Sequence, residues 1–252
     1  MLEPVSLALA AAAGMAGGAM NALAGGGTFA TMPALIALGL PGSIANATSN
    51  VALQPGAIAS AWAYRAGLGP LGGLSIRLLT AITFVAGLAG SALLVLTPSD
   101  LFDVIVPWLL LLAFLAIAFG GRAAAWLHDR VAIGGKTLVV AQVLLGVYGG
   151  YFGGGVGMMV TATYGLLAGA SPKTMAAPRT LMLATANSAA AIVFIALGFV
   201  AWAACLPMIA GGIVGGWLGA KLGRRLSAGA IRAWTLVVTA SVTCVFLWRA
   251  YA

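Results

Sequence analysis

The chain has 252 residues, 62% of them hydrophobic and only 6% charged, with a formal net charge of +8 and a mean hydropathy of +1.11. Soluble domains carry about a quarter charged residues, so a globular soluble protein is excluded and a polytopic membrane protein is indicated. The twelve Lys and Arg residues fall mostly in short stretches between apolar segments, which is how topology signals are laid out and excludes a nucleic-acid-binding patch.

In chain order, Met1-Leu-Glu3-Pro4-Val5 lacks the positive n-region of a signal peptide, so residues 4–24 read as a first membrane segment that is retained. Gly25-Gly26-Gly27 interrupts the apolar run, which resumes over 28–39 and turns at Pro41-Gly42. A third segment covers 43–64 and ends at Tyr64-Arg65. After a Gly67-to-Pro70 loop, a fourth runs to about Leu96; the chain turns at Thr97-Pro98-Ser99-Asp100, and 104–120 crosses again. Arg122 to Lys136 is the longest polar stretch and is expected to be a loop joining two halves, 1–121 and 137–252. The second half reads 137–152, glycines at Gly153-Gly154-Gly155, then 155–169, a turn at Ala170-Ser171-Pro172, 174–197, a turn at Gly198, 202–220, a basic loop from Lys221 to Arg225, and 231–250.

The halves match by index. The two glycine runs lie 128 residues apart, Pro41 and Pro172 as well as Gly67 and Gly198 lie 131 apart, and Gly87 and Gly90 precede Gly216 and Gly219 by 129. A duplication is expected. Arg65 and Arg77, then Arg122, Arg130 and Lys136, then Lys221, Arg224, Arg225 and Arg232 mark cytoplasmic loops, while Asp100 and Asp103 fall outside, with Arg249 an exception. Five segments per half is an odd number, so the second half is expected to be inverted. The expectation is therefore an all-α fold of two inverted repeats, with helices broken at Gly25–Gly27 and Gly153–Gly155. Both termini are expected outside.

Glycine breaks at membrane depth free backbone groups that hydrocarbon does not tolerate, so they must pack in protein or line a cavity. Matching breaks in two halves point to a transporter's binding site. Each short helix that follows a break begins with unpaired N–H groups, a seat for an anion. Arg179 lies about seven residues past Pro172, roughly 10 Å into its segment. There it costs several kcal/mol unless it faces a cavity, a partner or an anion; snorkelling to the interface is the alternative. Asn46, Asn50 and Gln54 share one helical face at i, i+4 spacing, while Thr48 and Ser49 index with Arg179 and Thr180. Asn21, Thr28 and Asn187 extend the polar set. Each of these residues serves as cavity lining or as interhelical glue; for the cluster a substrate-binding lining is expected, with Arg179 as the anion's charge partner and Asn46, Thr48, Ser49 and Thr180 as hydrogen-bond donors. No Asp, Glu or His stands in mid-membrane, so no carboxylate proton relay or sodium site is visible. Gly211, Gly215, Gly219 and Gly223 form a GxxxG ridge expected to pack helices. Cys205 and Cys244 have no metal-ligand spacing and read as buried structural thiols. With no nucleophile–base arrangement, neither catalytic residues nor a metal or cofactor are expected.

Gly25-Gly26-Gly27-Thr28 through Leu40-Pro41, the Ala47-Thr48-Ser49 triplet, Gly150-Tyr-Phe-Gly153-Gly154-Gly155 and the Gly211-to-Arg225 stretch together resemble the TauE/SafE family of sulfite and organosulfonate exporters, over nearly the whole chain. The resemblance implies a bacterial inner-membrane, multi-pass permease that moves sulfite, sulfoacetate or related sulfonates outward. Its partners would be a small anionic substrate and the lipid bilayer, with homo-oligomer formation left open. Here Asn46-Ala-Thr48-Ser49 stands where the family has Gly-Thr-Ser, and Pro178-Arg179-Thr180 where a small residue precedes the hydroxyl. A small-anion channel, a carboxylate permease and a non-transporting scaffold are the alternatives.

Overall fold

In the computed structural model, residues 3–128, 134–170, 174–223 and 225–251 are described; Arg130, Arg224 and the turn at 171–172 lie outside them. The described residues form ten α-helices: α1 (Pro4–Ala24), α2 (Thr28–Ala37), α3 (Gly42–Tyr64), α4 (Ile76–Leu96), α5 (Ser99–His128), α6 (Gly135–Tyr151), α7 (Val156–Ala168), α8 (Ala176–Ala196), α9 (Trp202–Gly223) and α10 (Ala228–Tyr251). Six are long and apolar enough to cross a membrane: α1, α4, α5, α8, α9 and α10. The fold is all-helical, and its ten elements follow the ten expected segments closely.

The glycine runs do more than interrupt a helix. Gly25 takes φ +77° and its N–H closes α1 on the Asn21 carbonyl at 2.9 Å. Gly153 and Gly155 take φ +74° and +72°. Side chains disfavour that left-handed region, so glycine is what lets the chain reverse there. After each reversal the short helix returns along its predecessor. A Cβ on Gly17 of α1 would lie 2.5 Å from the Thr31 side chain of α2, and Tyr164 of α7 donates to Gln142 of α6 at 2.7 Å. α1–α2 and α6–α7 are thus helical hairpins. α2 and α7, with 10 and 13 residues, are only about 15 and 20 Å long, too short to span about 30 Å of hydrocarbon. These two short arms do not cross on their own.

Helix packing rests on small residues, because lipid supplies no hydrophobic drive for helix association. α1 lies against α9 backbone to backbone: added Cβ atoms would meet the Ala11 carbonyl at 1.9 Å from Gly211 and the Met15 carbonyl at 1.8 Å from Gly215. α4 and α6 are joined the same way, with Gly150 set 2.0 Å by that measure from the Gly87 carbonyl and Gly90 2.1 Å from that of Val147. The expected packing role of Gly211, Gly215 and Gly219 holds. Between these two closely packed pairs, α3 crosses α8 and touches α9, while α8 touches α4; α5 packs on α7 and α10.

Two expectations need correction. α5 stays helical to His128, into the stretch expected as loop from Arg122. Its 30 residues measure about 45 Å, so its end projects beyond the hydrocarbon, where an alanine-rich polar run can remain helical. Cys205 is buried, but Cys244 is exposed on the outer side of the peripheral α10, a position facing lipid.

If these contacts set helix spacing, Gly215→Ala, whose methyl would collide with backbone rather than a movable side chain, destabilises the protein by about 1–3 kcal/mol. Gly56→Ala, with nothing within 4 Å of its added Cβ, is tolerated or slightly stabilising as a helix-interior change. Thermal melting of both variants in the same detergent checks the contrast.

Candidate functional site

The basic residues of the loops gather at one end of the bundle, where α3 and α9 finish and α4, α6 and α10 begin: Arg65, Arg77, Lys136, Lys221 and Arg232. Arg65 covers the Trp62 ring at 4.1 Å and Lys221 the Trp217 ring at 5.1 Å, as cations and aromatics do at a membrane interface. By the positive-inside rule this end is cytoplasmic. Asp100, in the first turn of α5, and Asp103, just past it, occupy the other end. Arg249, the exception to the charge rule, lies within electrostatic reach of Asp103, which accounts for it.

A cleft of about 810 Å³ opens at the cytoplasmic end between α1, α3, α9 and the first turn of α8. Its polar lining comprises Asn21, Ser60, Tyr64 and Arg179; Gly18, Gly56, Gly212 and Gly216 keep its walls low. At its base a narrow extension adds Gly25, Gly157, Thr180 and Leu183. There the two breaks meet: a Cβ on Gly25 would lie 3.7 Å from the Gly157 Cα, and one on Gly155 3.1 Å from the Phe29 ring. Gly25 thus lines the cleft directly, while Gly26, Gly27, Gly153, Gly154 and Gly155 shape the reversals behind it.

Arg179 sits in the first turn of α8, which begins at Ala176 rather than at Pro172. Pro178 suits that turn because no intrahelical N–H is needed there. Arg179 therefore lies nearer the cytoplasmic end than residue counting from Pro172 suggests. It is half-buried, and Tyr64 lies within its electrostatic reach. No described residue hydrogen-bonds or pairs with its guanidinium, and the same holds for the side chains of Asn21, Ser60 and Tyr64. Four unengaged polar groups converge on one cavity. Its chemistry is that of a donor-rich, singly cationic pocket, suited to a small oxyanion.

The remaining predicted residues divide differently. Thr48 is fully buried and accepts from the Ala201 N–H, just ahead of α9, at 3.0 Å. Ser49 bonds Thr31, and Thr31 also donates to the Gly27 carbonyl at 3.2 Å. Thr180 donates to the Ala176 and Ala177 carbonyls of its own helix at 3.0 Å, leaving its oxygen's acceptor side to the cleft base. Thr28 is buried without lining the cleft. Asn46, Asn50 and Gln54 face away from the cleft and bond the Tyr151 carbonyl, Asn187, and the Ala184 carbonyl with Ser188. Helix-start donors after the breaks are largely spent on their own loops: Phe29 and Ala30 N–H on Gly26 and Gly27, Met158 and Met159 on Gly155. Sequence reasoning missed Ser60 and Tyr64. Ala52, Gly56, Ser60 and Tyr64 recur every four residues and all line the cleft; that ridge was the available signal.

The family model described as "Sulfite exporter TauE/SafE" matches residues 10–246. Among curated proteins, the chain is 29% identical over 227 residues to "Probable membrane transporter protein YfcA" of Escherichia coli K12, covering 90% of this chain and 82% of that one. It is 28% identical over 218 residues to "Probable membrane transporter protein" of Haemophilus influenzae, covering 86% and 84%, and 26% identical to "Probable membrane transporter protein ORF9" of a Sinorhizobium species, covering 88% and 85%. No solved structure matches the chain.

The division between structural and cleft-lining residues is testable. Thr48→Val keeps the shape but strips the Ala201 N–H of its acceptor, so melting stability falls by about 1–3 kcal/mol. Asn21→Ala, which removes a side chain without a partner, leaves melting of the ligand-free protein within about 0.5 kcal/mol of the parent.

Proposed function

The chain belongs to the sulfite exporter TauE/SafE family and is a membrane transporter with multiple passes through a bacterial membrane; from that premise we propose that it exports a small sulfur-containing anion by alternating access. Sulfite, sulfoacetate and related organosulfonates are the substrate class. The observation that carries this reading is Arg179: a guanidinium without a protein partner, in a cleft open to the cytoplasmic end, where the two broken hairpins touch. Its planar fork matches two oxygens of a sulfite or sulfonate group, with Asn21, Ser60 and Tyr64 as further donors. Thr180 and Gly25 form the floor against which the anion rests.

Alternating access finds support in the pairing of helices. Shifting each label by five turns α1–α9 into α6–α4, α1–α2 into α6–α7, α2–α3 into α7–α8, and α3–α9 into α8–α4, all of which are pairs in contact. The halves 1–121 and 137–252, joined by the cytoplasmic stretch 122–136, are on this reading two repeats of five helices with opposite orientation. The outer end is closed by the tip of the second hairpin. Tyr151 packs on Phe102 with ring centroids 5.8 Å apart, Ser43 bonds Ser99 at 2.7 Å, and Asn46 holds the Tyr151 carbonyl. On this reading the conformation is the inward-open one. An anion leaving the cell gains about 2.3 kcal/mol per charge per 100 mV from an inside-negative potential, which suffices to drive net export.

The test is ligand-dependent thermal stability, together with efflux from proteoliposomes. Sulfite or sulfoacetate raises the melting point of the parent in a saturable way. Arg179→Ala, which removes the pocket's one cation, weakens that affinity by at least about tenfold, and it leaves the ligand-free melting point close to that of the parent. Unchanged affinity in the variant overturns the assignment of Arg179. A shift given by carboxylates alone replaces the substrate class, and flux that never saturates replaces the carrier with a channel.

A further inference from the structure

The amides of α3 that turn away from the cleft have atoms left over. Asn46, Asn50 and Gln54 are 1%, 4% and 7% exposed. Each spends its NH₂ group on a protein acceptor: Asn46 on the Tyr151 carbonyl at 3.0 Å, Asn50 on Oδ1 of Asn187 at 3.2 Å, and Gln54 on the Ala184 carbonyl at 3.1 Å. The three side-chain oxygens, Oδ1 of Asn46, Oδ1 of Asn50 and Oε1 of Gln54, have no hydrogen-bond partner. Which end of the amide is oxygen follows from the partners at Asn46 and Gln54. A backbone carbonyl accepts only from N–H, so neither amide can be turned round.

Three buried acceptors without donors, on one face and one turn apart, are not how this protein treats the buried amide of α6. Gln142, 0% exposed, donates to Thr83 and accepts from Tyr164 at 2.7 Å. The α3 oxygens, by contrast, forfeit the hydrogen bonds that burial normally demands.

Their surroundings are also acceptor-rich. The Tyr151 carbonyl terminates α6, where the last carbonyls lack intrahelical donors and the helix dipole is negative. The Gly153 backbone approaches so closely that a Cβ there would lie 3.1 Å from Nδ2 of Asn50 and 3.5 Å from Oδ1 of Asn187. Such an array repels an anion. Amide oxygens do not titrate near neutral pH, so a proton is not what they hold. Neutral oxygens beside the negative end of a half-helix suit a dehydrated cation. Divalent ions draw on carboxylates, and the described residues contain no cluster of three acidic or other metal-ligating side chains. The charge is therefore one.

We infer that the α3 seam binds a monovalent cation through the Asn50 and Asn46 side-chain oxygens at the C-terminal end of α6. Gln54 is the next acceptor, one turn toward the cleft. The site stands apart from the Arg179 cleft, on a face of α3 turned about 100° from the cleft-lining ridge of Ala52, Gly56, Ser60 and Tyr64, so it does not rest on the identity of the anion.

Purified protein in detergent is melted in NaCl and in choline chloride at equal concentration, and ²²Na⁺ binding is measured directly by scintillation proximity. The expected result is a saturable rise in melting point specific to Na⁺ or another small alkali ion, with ²²Na⁺ displaced by unlabelled NaCl and not by choline chloride. Asn50→Ala weakens that binding by about ten- to hundred-fold. Because Asn50→Ala also removes the α3–α8 hydrogen bond to Asn187, Asn50→Asp serves as the second variant: it keeps an oxygen in place and adds a charge, so it binds Na⁺ more tightly at pH 8 than the parent and loses the gain as pH falls. Arg179→Ala retains the full Na⁺ response, which separates the failure of this site from failure of the anion cleft. Equal melting in NaCl and choline chloride with no ²²Na⁺ bound overturns the inference, as does cation binding indifferent to both Asn50 variants.

Discussion

Every feature of this fold traces to one constraint: backbone groups freed by a helix break cannot be left facing hydrocarbon. Two glycine reversals create such groups, and the protein disposes of them locally. The Tyr148 hydroxyl donates to the Gly154 carbonyl at 2.7 Å, Asn46 to that of Tyr151 and Thr31 to that of Gly27, while the loops' own N–H groups close onto Gly26, Gly27 and Gly155. Tyr148 and Thr31 belong to the hairpins themselves, whereas Asn46 reaches in from the neighbouring α3. Part of the polarity of α3 thus serves the second reversal before it serves any ligand site.

Placing two reversals in contact also dictates what surrounds them. Hairpin tips that approach at Gly25 and Gly157 bring their helices within backbone distance of the neighbours, and only small residues permit it. The α1–α9 and α4–α6 pairs meet this need with glycines against carbonyls. Such contacts bury little side chain, so they hold geometry through shape and close packing rather than through apolar area. Each pair joins a hairpin arm of one half to a crossing helix of the other. Between the two pairs, α3 and α8 are joined instead by side-chain hydrogen bonds, Asn50 to Asn187 and Gln54 to the Ala184 carbonyl and Ser188.

The sequence made the ten segments legible because hydropathy and glycine–proline punctuation act locally, and both survive folding into lipid. Legibility stopped where rotation about a helix axis matters. Asn46, Asn50 and Gln54 were correctly placed on one face, yet whether that face met a cavity or α8 depended on the angle at which α3 packs, which no local pattern records. Arg179 and Asn21 came from opposite halves and were read separately, although they line one cleft. Ser60 and Tyr64 escaped because a Ser and a Tyr among small residues look like ordinary lining of a packed helix. Counting from Pro172 sets Arg179 about two turns deep, whereas it lies in the first turn of α8, which starts at Ala176. The loop from Arg122 was taken as a break because its residues are polar, whereas helix persistence beyond the hydrocarbon needs only good propensity.

The separation of donors from acceptors along α3 is the feature that local pattern could not have suggested. Toward the cytoplasmic end, the helix presents Ser60 and Tyr64 to the unpaired guanidinium of Arg179; on another face, toward the outer end, it presents three oxygens with no donors. Random polar decoration would mix the two, and packing glue alone would satisfy both ends of each amide, as it does at Gln142. A single helix, α3, packed on α8 and α9, thus carries an electropositive pocket on one side and an electronegative seam on another. On the proposed readings, occupants of opposite charge bear on the same α3–α8 crossing. Each stabilises whichever arrangement of that crossing fits it better, and any such difference couples the two by the same free energy in both directions. Coupling through a shared helix needs no charged residue in mid-membrane, which is how a chain without a buried carboxylate can still link a cation to an anion.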